Sequence, residues 1–301
     1  MVQQMSREDI ETYAELLERW RQLKTRIDTA IEDRLKELPE SRAITVAKYI
    51  ALGGKRLRGF LVLELASSLG ADIDEALDAA VAVELVHAAS LALDDIIDED
   101  TIRRGKSSAW VSFGIKKTVM VSNILIPFAQ NIVYQRYGSL ALLRTVAAWL
   151  DISKGEVIDA FYNPESVDPS MYIEMVRLKT GSLFRLSAEL GAIAAKAYDL
   201  LDIVSEIGEN IGIMYQVADD IRDSSDPAKS QEPGLRLFRR WINGGGAEKA
   251  LEFIKEMITR THMLLDKTFR DKSMVVRMLP EFIVNAMLGH IDSEHIRSRL
   301  A

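Results

Sequence analysis

The stretch ALDAAVAVELVHAASLAL, from Ala76 to Leu93, constrains this chain more than any other. It contains no Gly or Pro and outruns the usual length of a strand. As a helix it is apolar on nearly every side, so it must be enclosed by other elements. The rest of the chain offers helices to do so. Ile10, Tyr13, Leu17, Trp20, Leu23, Ile27 and Ile31 step by three and four and make one apolar stripe. Ser6 and Asp9 supply a cap for that helix and Pro39 ends it. Further helices are expected near 42–52, 56–69, 74–98, 116–137, 139–161, 169–194, 197–222, 234–242, 246–269 and 273–299. Pro127 is expected to kink its helix. Loops are expected at 99–115, 162–169 and 224–234. No stretch alternates convincingly with period two, and no short repeat recurs. The expectation is one all-α domain over residues 1–301.

Composition narrows the function. With 38 basic against 45 acidic residues the net charge is -7, which argues against the basic footprint of a nucleic-acid binder. Zero cysteines exclude disulfides and thiolate metal sites. The opening residues do not read as a signal peptide, and no run reaches 18 apolar residues. A cytoplasmic protein without stable membrane insertion is expected.

Asp94, Asp95 and Asp98 crowd the end of the apolar helix. Like charges at i,i+4 destabilise a helix unless something neutralises them. The same D-D-x-x-D spacing returns as Asp219, Asp220 and Asp223 in YQVADDIRD. Chance places one such motif in about a tenth of chains of this composition, so two copies that each end an apolar helix call for a cause. Hard oxygen ligands one turn apart suit Mg²⁺, which takes its remaining ligands from water and substrate phosphates. Cations stand ready for such phosphates. Lys55 and Arg58 follow the Gly53-Gly54 break, Arg103 and Arg104 precede Lys106, and Lys179 precedes Thr180-Gly181. Guanidinium forks bind phosphate oxygens bidentately and lysines act as point charges.

In order, GGKRLRG, ELVHAASLALDDIIDEDTIRRG, RLKTGSLF and YQVADDIRD resemble the motifs of the trans-prenyl diphosphate synthases. The resemblance implies an isoprenoid-synthase-type bundle of about ten or more helices around a central cavity, usually a homodimer. It implies head-to-tail joining of isopentenyl diphosphate to an allylic diphosphate. Asp94, Asp98 and Asp219 would then hold Mg²⁺ at the allylic diphosphate, with Asp95, Asp220 and Asp223 nearby. Arg103 and Lys179 would grip the same group. Lys55, Arg58, His87 and Arg104 would hold isopentenyl diphosphate. Thr180 and Gln216 would turn oxygen dipoles toward developing carbocation charge. In this fold the product grows along the helix of the first motif, past Ala89, Ser90, Val86, Leu85 and Ala82. Ala89 and Ser90 are small, which implies C20 or longer, with geranylgeranyl diphosphate expected and C25 or longer as the rival. Ile124, Leu125 or Phe128 would set the floor.

Several positions depart from the family pattern. Gly59 and Ser107 stand where Pro is usual, Leu93 for His, Glu156 for Gln and Asn123 for Asp. The largest departure follows Asp223. In place of a Gly-Lys, an Asp and a Lys, this chain has SSDPAKSQEPGLRLFRRW. Lys229 is the expected diphosphate ligand there, with Arg236, Arg239 and Arg240 as alternatives. The altered loop keeps a second reading open, a non-catalytic or regulatory subunit of a heteromeric synthase. A terpene cyclase is disfavoured, because the second aspartate motif is intact.

Overall fold

The computed structural model describes residues 7–38, 40–269 and 274–288. Ser6 and Pro39, expected as cap and stop, lie outside these, as does the end of the expected 273–299 helix. The described residues are almost entirely helical. By contact the chain falls into two compact units. One comprises residues 22–149 and 189–198, the other 1–21, 150–188 and 199–301.

The first unit is built on α4 (Ile73–Ile97), the expected enclosed helix. Asp72 caps it, and Glu75 answers with a 3.1 Å bond from the Asp72 N–H, a capping box. Ala79 to Val86 are all buried. Helices α2 (Ile44–Ala51), α3 (Leu57–Ser68) and α5 (Ala109–Phe113) pack on it. Among the described residues α4 alone has the length and composition to cross a membrane, but 67% of its apolar window is buried inside the protein. That burial is what a core helix requires.

The loop expected at 99–115 holds a hairpin as well as α5. β1 (Ile102–Arg103) pairs antiparallel with β2 (Lys106–Ser107). Its turn residues, Arg104 and Gly105, have φ of 54° and 72°, the double positive φ of a type I′ turn. Two-residue strands carry no period to read. Helix α6 (Ile115–Phe161) also begins in this unit. Its non-helical residue is Gly138, φ 80° and ψ -167°, between the helices expected at 116–137 and 139–161. Pro127 lies inside α6, and the backbone break falls at Gly138 instead.

The second unit is organised around α9 (Leu201–Asp223), against which α11 (Gly246–Phe269), α13 (Leu279–Met287) and α7 (Met171–Val176) pack. The helix expected over 169–194 is divided. α7 runs into a π-helical turn, Arg177–Gly181, before α8 (Ser182–Ala194). Such turns recur at functional sites. The turn lies hard against α6: a Cβ at Gly155 would sit 2.5 Å from the Lys179 nitrogen. α10 (Pro233–Ile242) completes this side, and α12 is Met274–Arg277.

Candidate active site

In the first unit the Gly53-Gly54 break leads to Arg56, the N-cap of α3, held in the left-handed region at φ 58°. A non-glycine residue there costs about 1–2 kcal/mol. Burial offsets that cost. The Arg56 side chain is 0% exposed, bonds Asp28 from α1 (Arg7–Leu35) at 2.7 Å and the Ala51 carbonyl at 2.7 Å, and reaches Glu84 of α4 at 3.3 Å. Arg56 is not among the residues expected from sequence to act in the site. The available signal was Glu84, a lone acid within an apolar helix. Glu84 also explains Gly59. It accepts the Gly59 N–H at 2.8 Å, which a proline lacks.

This anchor places Arg58, itself buried, with Nη1 3.1 Å from His87 Nε2. Burial first, then the charges of Arg58, Arg104, Arg56 and Arg103, holds His87 well below the usual histidine range. His87 is therefore neutral, accepts from Arg58 at Nε2 and carries its proton on Nδ1. The hairpin turn carries Arg104 back to the Gly53-Gly54 break. Its Nη1 donates to the Leu52 carbonyl at 2.9 Å. Lys106 donates to the Tyr49 carbonyl at 3.2 Å, and Lys55 is exposed. Arginines thus crowd a neutral histidine, an environment that favours an anion.

The first aspartate motif lies at the C-terminus of α4, with Asp98 as its C-cap. The negative end of the helix dipole adds to the repulsion there. Asp95 is 2% exposed and accepts from Arg103 Nε at 2.6 Å, while Arg103 Nη2 reaches Asp100 at 3.0 Å. Burial raises Asp95 above the ordinary carboxylate range, and Arg103 draws it back. Asp94 is half-buried and Asp98 exposed. A cleft lined by Tyr49, Ala88, Leu91, Asp95, Arg103 and Arg104 opens beside them. Ala82, Leu85, Val86 and Ala89 are buried on α4, and Ser90 donates to the His87 carbonyl at 2.9 Å.

In the second unit Lys179, on the π turn, bonds Asp159 at 2.7 Å and Glu156 at 2.8 Å. A hydrogen-bond chain follows. Thr180 Oγ1 donates to Gln216 Oε1 at 2.9 Å, and Gln216 Nε2 donates to Asp220 Oδ1 at 3.0 Å. The Tyr172 hydroxyl donates to Asp220 Oδ2 at 2.5 Å. Burial pushes Asp220 up to about 7; Asp219 and Asp223 push the same way, and the Tyr172 and Gln216 donors oppose them. Arg222 forks onto Asp219 and Asp223, the latter at 2.9 Å. Lys229 reaches Asp223 at 2.5 Å.

Of the four candidate cations after Asp223, Lys229 thus meets the motif. Arg236 bonds Glu165 at 2.8 Å. Arg239 holds the Ser230 carbonyl at 2.8 Å and that of Ser224 at 3.3 Å. Arg240 holds the carbonyls of Pro164 and Val167. These three staple loops. Among the described residues no three acidic or histidine side chains converge into a ready metal cage. The donors suit a hard divalent cation that keeps water and phosphate ligands, since such an ion needs only one or two carboxylates.

Residues 41–234, which include every candidate from Lys55 to Lys229, match the family model "Polyprenyl synthetase". A hexaprenyl pyrophosphate synthase of Saccharolobus solfataricus is 35% identical over 289 residues, 93% of this chain and 99% of that protein. The solved geranylgeranyl pyrophosphate synthetase of the archaeon Geoglobus acetivorans superposes with a TM-score of 0.76 at 28% identity, covering 88% of this chain and 97% of that one. A polyprenyl synthase of Caulobacter crescentus, solved with calcium and isoprenyl diphosphate, gives 0.74 at 24% identity, covering 91% and 97%, a likeness of fold. Motif order, helical architecture and full-length likeness agree, and the chain belongs to the polyprenyl synthetase family.

Proposed function

We infer that this protein is a trans-prenyl diphosphate synthase that joins isopentenyl diphosphate head-to-tail to an allylic diphosphate and releases a C20 or longer product. The observation that carries the reading is the Arg58–His87 pair under Arg104, a cationic, neutral-histidine site suited to a diphosphate. Lys55, Arg58, His87 and Arg104 bind isopentenyl diphosphate. In the first unit Asp94 and Asp98, supported by Asp95, would hold Mg²⁺ and Arg103 would bind diphosphate; in the second Asp219, supported by Asp220 and Asp223, would hold Mg²⁺ and Lys179 would bind diphosphate. Bound Mg²⁺ supplies Lewis-acid stabilisation of charge on the departing diphosphate. Arg103 and Lys179 exchange their carboxylate partners for diphosphate oxygens. Thr180 already donates its hydroxyl hydrogen bond to Gln216, so its oxygen lone pairs are left for developing positive charge.

Small Ala89 and Ser90 support a product of C20 or longer. The likeness to a hexaprenyl pyrophosphate synthase over 93% of the chain favours one beyond C20. The enzyme acts as one functional domain and pairs with a second copy. Exposed apolar side chains on α6, such as Met120, Tyr134, Leu143 and Val146, support the pairing.

The test is incubation with Mg²⁺, labelled isopentenyl diphosphate and, separately, C5, C10, C15 and C20 allylic diphosphates, with dephosphorylated products sized by chromatography. Extension that stops at one length of C20 or more is expected. No product from folded protein that still binds Mg²⁺ and diphosphate would overturn it in favour of an incomplete subunit.

A further inference from the structure

Asp219 and Asp223 stand one turn apart near the C-terminal end of α9, where their mutual repulsion and the helix dipole act together. Two cations of the chain itself answer that charge. Arg222 places Nη2 on Asp219 and 2.8 Å from Asp223, and its Nε donates to Asp223 at 2.9 Å. Its Nη1 points to the Met287 carbonyl at 3.3 Å and the Met287 sulfur at 3.8 Å, both at the end of α13. Lys229 reaches the other Asp223 oxygen at 2.5 Å. Lys229 ends the short 3-10 turn Pro227–Lys229, and Arg239 clamps that turn by the carbonyls on either side, Ser224 and Ser230. The backbone that presents Lys229 is therefore fastened. The side chains of Arg222 and Lys229 remain 43% and 40% exposed, while that of Asp223 is 14% exposed. The carboxylate is mostly buried and its two counter-ions are open to solvent.

We propose that Arg222 and Lys229 are resting counter-ions of the second aspartate motif, which weaken binding of a divalent cation alone and pass to diphosphate oxygens when cation and diphosphate arrive together. The inference rests on the synthase reading above. A dication brought to Asp219 and Asp223 meets two positive charges already in place, so binding it alone requires displacing them into water. Diphosphate changes the balance, because it gives a guanidinium fork and an ammonium an anion to move to. Metal and diphosphate then bind with positive coupling, and a carboxylate site without substrate is kept from filling. Arg222 is a positioning residue in this scheme until it meets the diphosphate.

The test uses the full chain and two titrations followed calorimetrically, Mg²⁺ alone and inorganic diphosphate at saturating Mg²⁺. Arg222→Met should bind Mg²⁺ alone about twofold to fivefold more tightly than the parent, the range an exposed ion pair spans. It should bind diphosphate with Mg²⁺ about tenfold or more weakly, as loss of a charge-assisted bond implies. Lys229→Met should move both in the same directions, and Arg222→Lys should fall between parent and Arg222→Met. Loss of packing would weaken both titrations, so tighter metal binding beside weaker diphosphate binding marks the exchange of partners. Unchanged or weaker binding of Mg²⁺ alone in the folded variants overturns the proposal. If Arg222→Met does not melt cooperatively, Lys229→Met, on a turn outside the helix, decides the matter by the same criterion. Failure of the parent to bind diphosphate with Mg²⁺ at all would instead overturn the synthase reading.

Discussion

The Tyr172 hydroxyl donates a 2.5 Å hydrogen bond to Asp220, the middle carboxylate of the second aspartate motif. The Tyr172 ring is buried against Phe238 and Trp241 of α10, with centroids 5.3 and 5.0 Å away. The segment that departs most from the family pattern therefore supplies the wall that holds the tyrosine on the aspartate.

Tyr172→Phe should expose this dependence through pH. The hydroxyl bond favours ionised Asp220, so its loss harms the carboxylate more than the neutral acid. The parent carboxyl stands at about 7, above its unfolded value, so its contribution to stability is full at low pH and is lost as pH rises through about 7. The variant should lose about 1–3 kcal/mol, with the larger loss at pH 8 than at pH 5 in urea unfolding. Equal losses at both pH values would refute the assignment of that proton.

His87 carries the opposite sign. Its folded value lies well below the ordinary one, so at pH between the two the unfolded chain holds more protons. Stability should therefore fall as pH drops below about 6.5, and His87→Gln should flatten that slope while still accepting from Arg58. The same variant should raise KM for isopentenyl diphosphate more than it lowers kcat. Melting curves from pH 5 to 8, with steady-state kinetics at pH 7.5, check both.

Arg56→Met should be strongly destabilising, by about 3–5 kcal/mol, because buried Glu84 would lose its ion-pair partner. Gly59→Pro, which restores the residue common in the family, should cost about 1–3 kcal/mol here by removing the N–H that Glu84 accepts. Denaturant titration of each variant tests the pair. A neutral Gly59→Pro would mean that Glu84 is satisfied by other donors.

Ala89→Phe should shorten the product. Ala89 is fully buried on α4, five residues before Asp94, and a large ring there would block a chain growing along that helix. Overpacking should also cost about 1–3 kcal/mol of stability. Chromatography of the dephosphorylated products should show a shift toward C15, and an unchanged length would place the growing chain elsewhere.

The sequence by itself determined the helical class, because an apolar helix such as Ala76 to Leu93 can only be enclosed and the surrounding stripes have the period to enclose it. It also determined which residues are the candidates, since the paired D-D-x-x-D motifs and the Gly-Gly, Arg-Arg-Gly and Lys-Thr cation groups are chemistry written at fixed local spacing. The break at Gly138 was legible for the same local reason. What was not legible is long-range. Arg56 looks like one cation among several until Asp28 and Glu84 close on it from helices 28 residues to either side. Gly59 looks like a lost proline until Glu84 takes its N–H. The π turn under Lys179 answers the close approach of Gly155, and the hairpin at Arg104 is too short to carry a period. Of the four cations after Asp223 Lys229 was the expected ligand and the arginines alternatives, and only tertiary structure sent Lys229 to the aspartate and Arg236, Arg239 and Arg240 to the loops. Local spacing sets which charges a chain owns, but the partner of each charge is chosen by burial and distance, which exist only once the helices have packed.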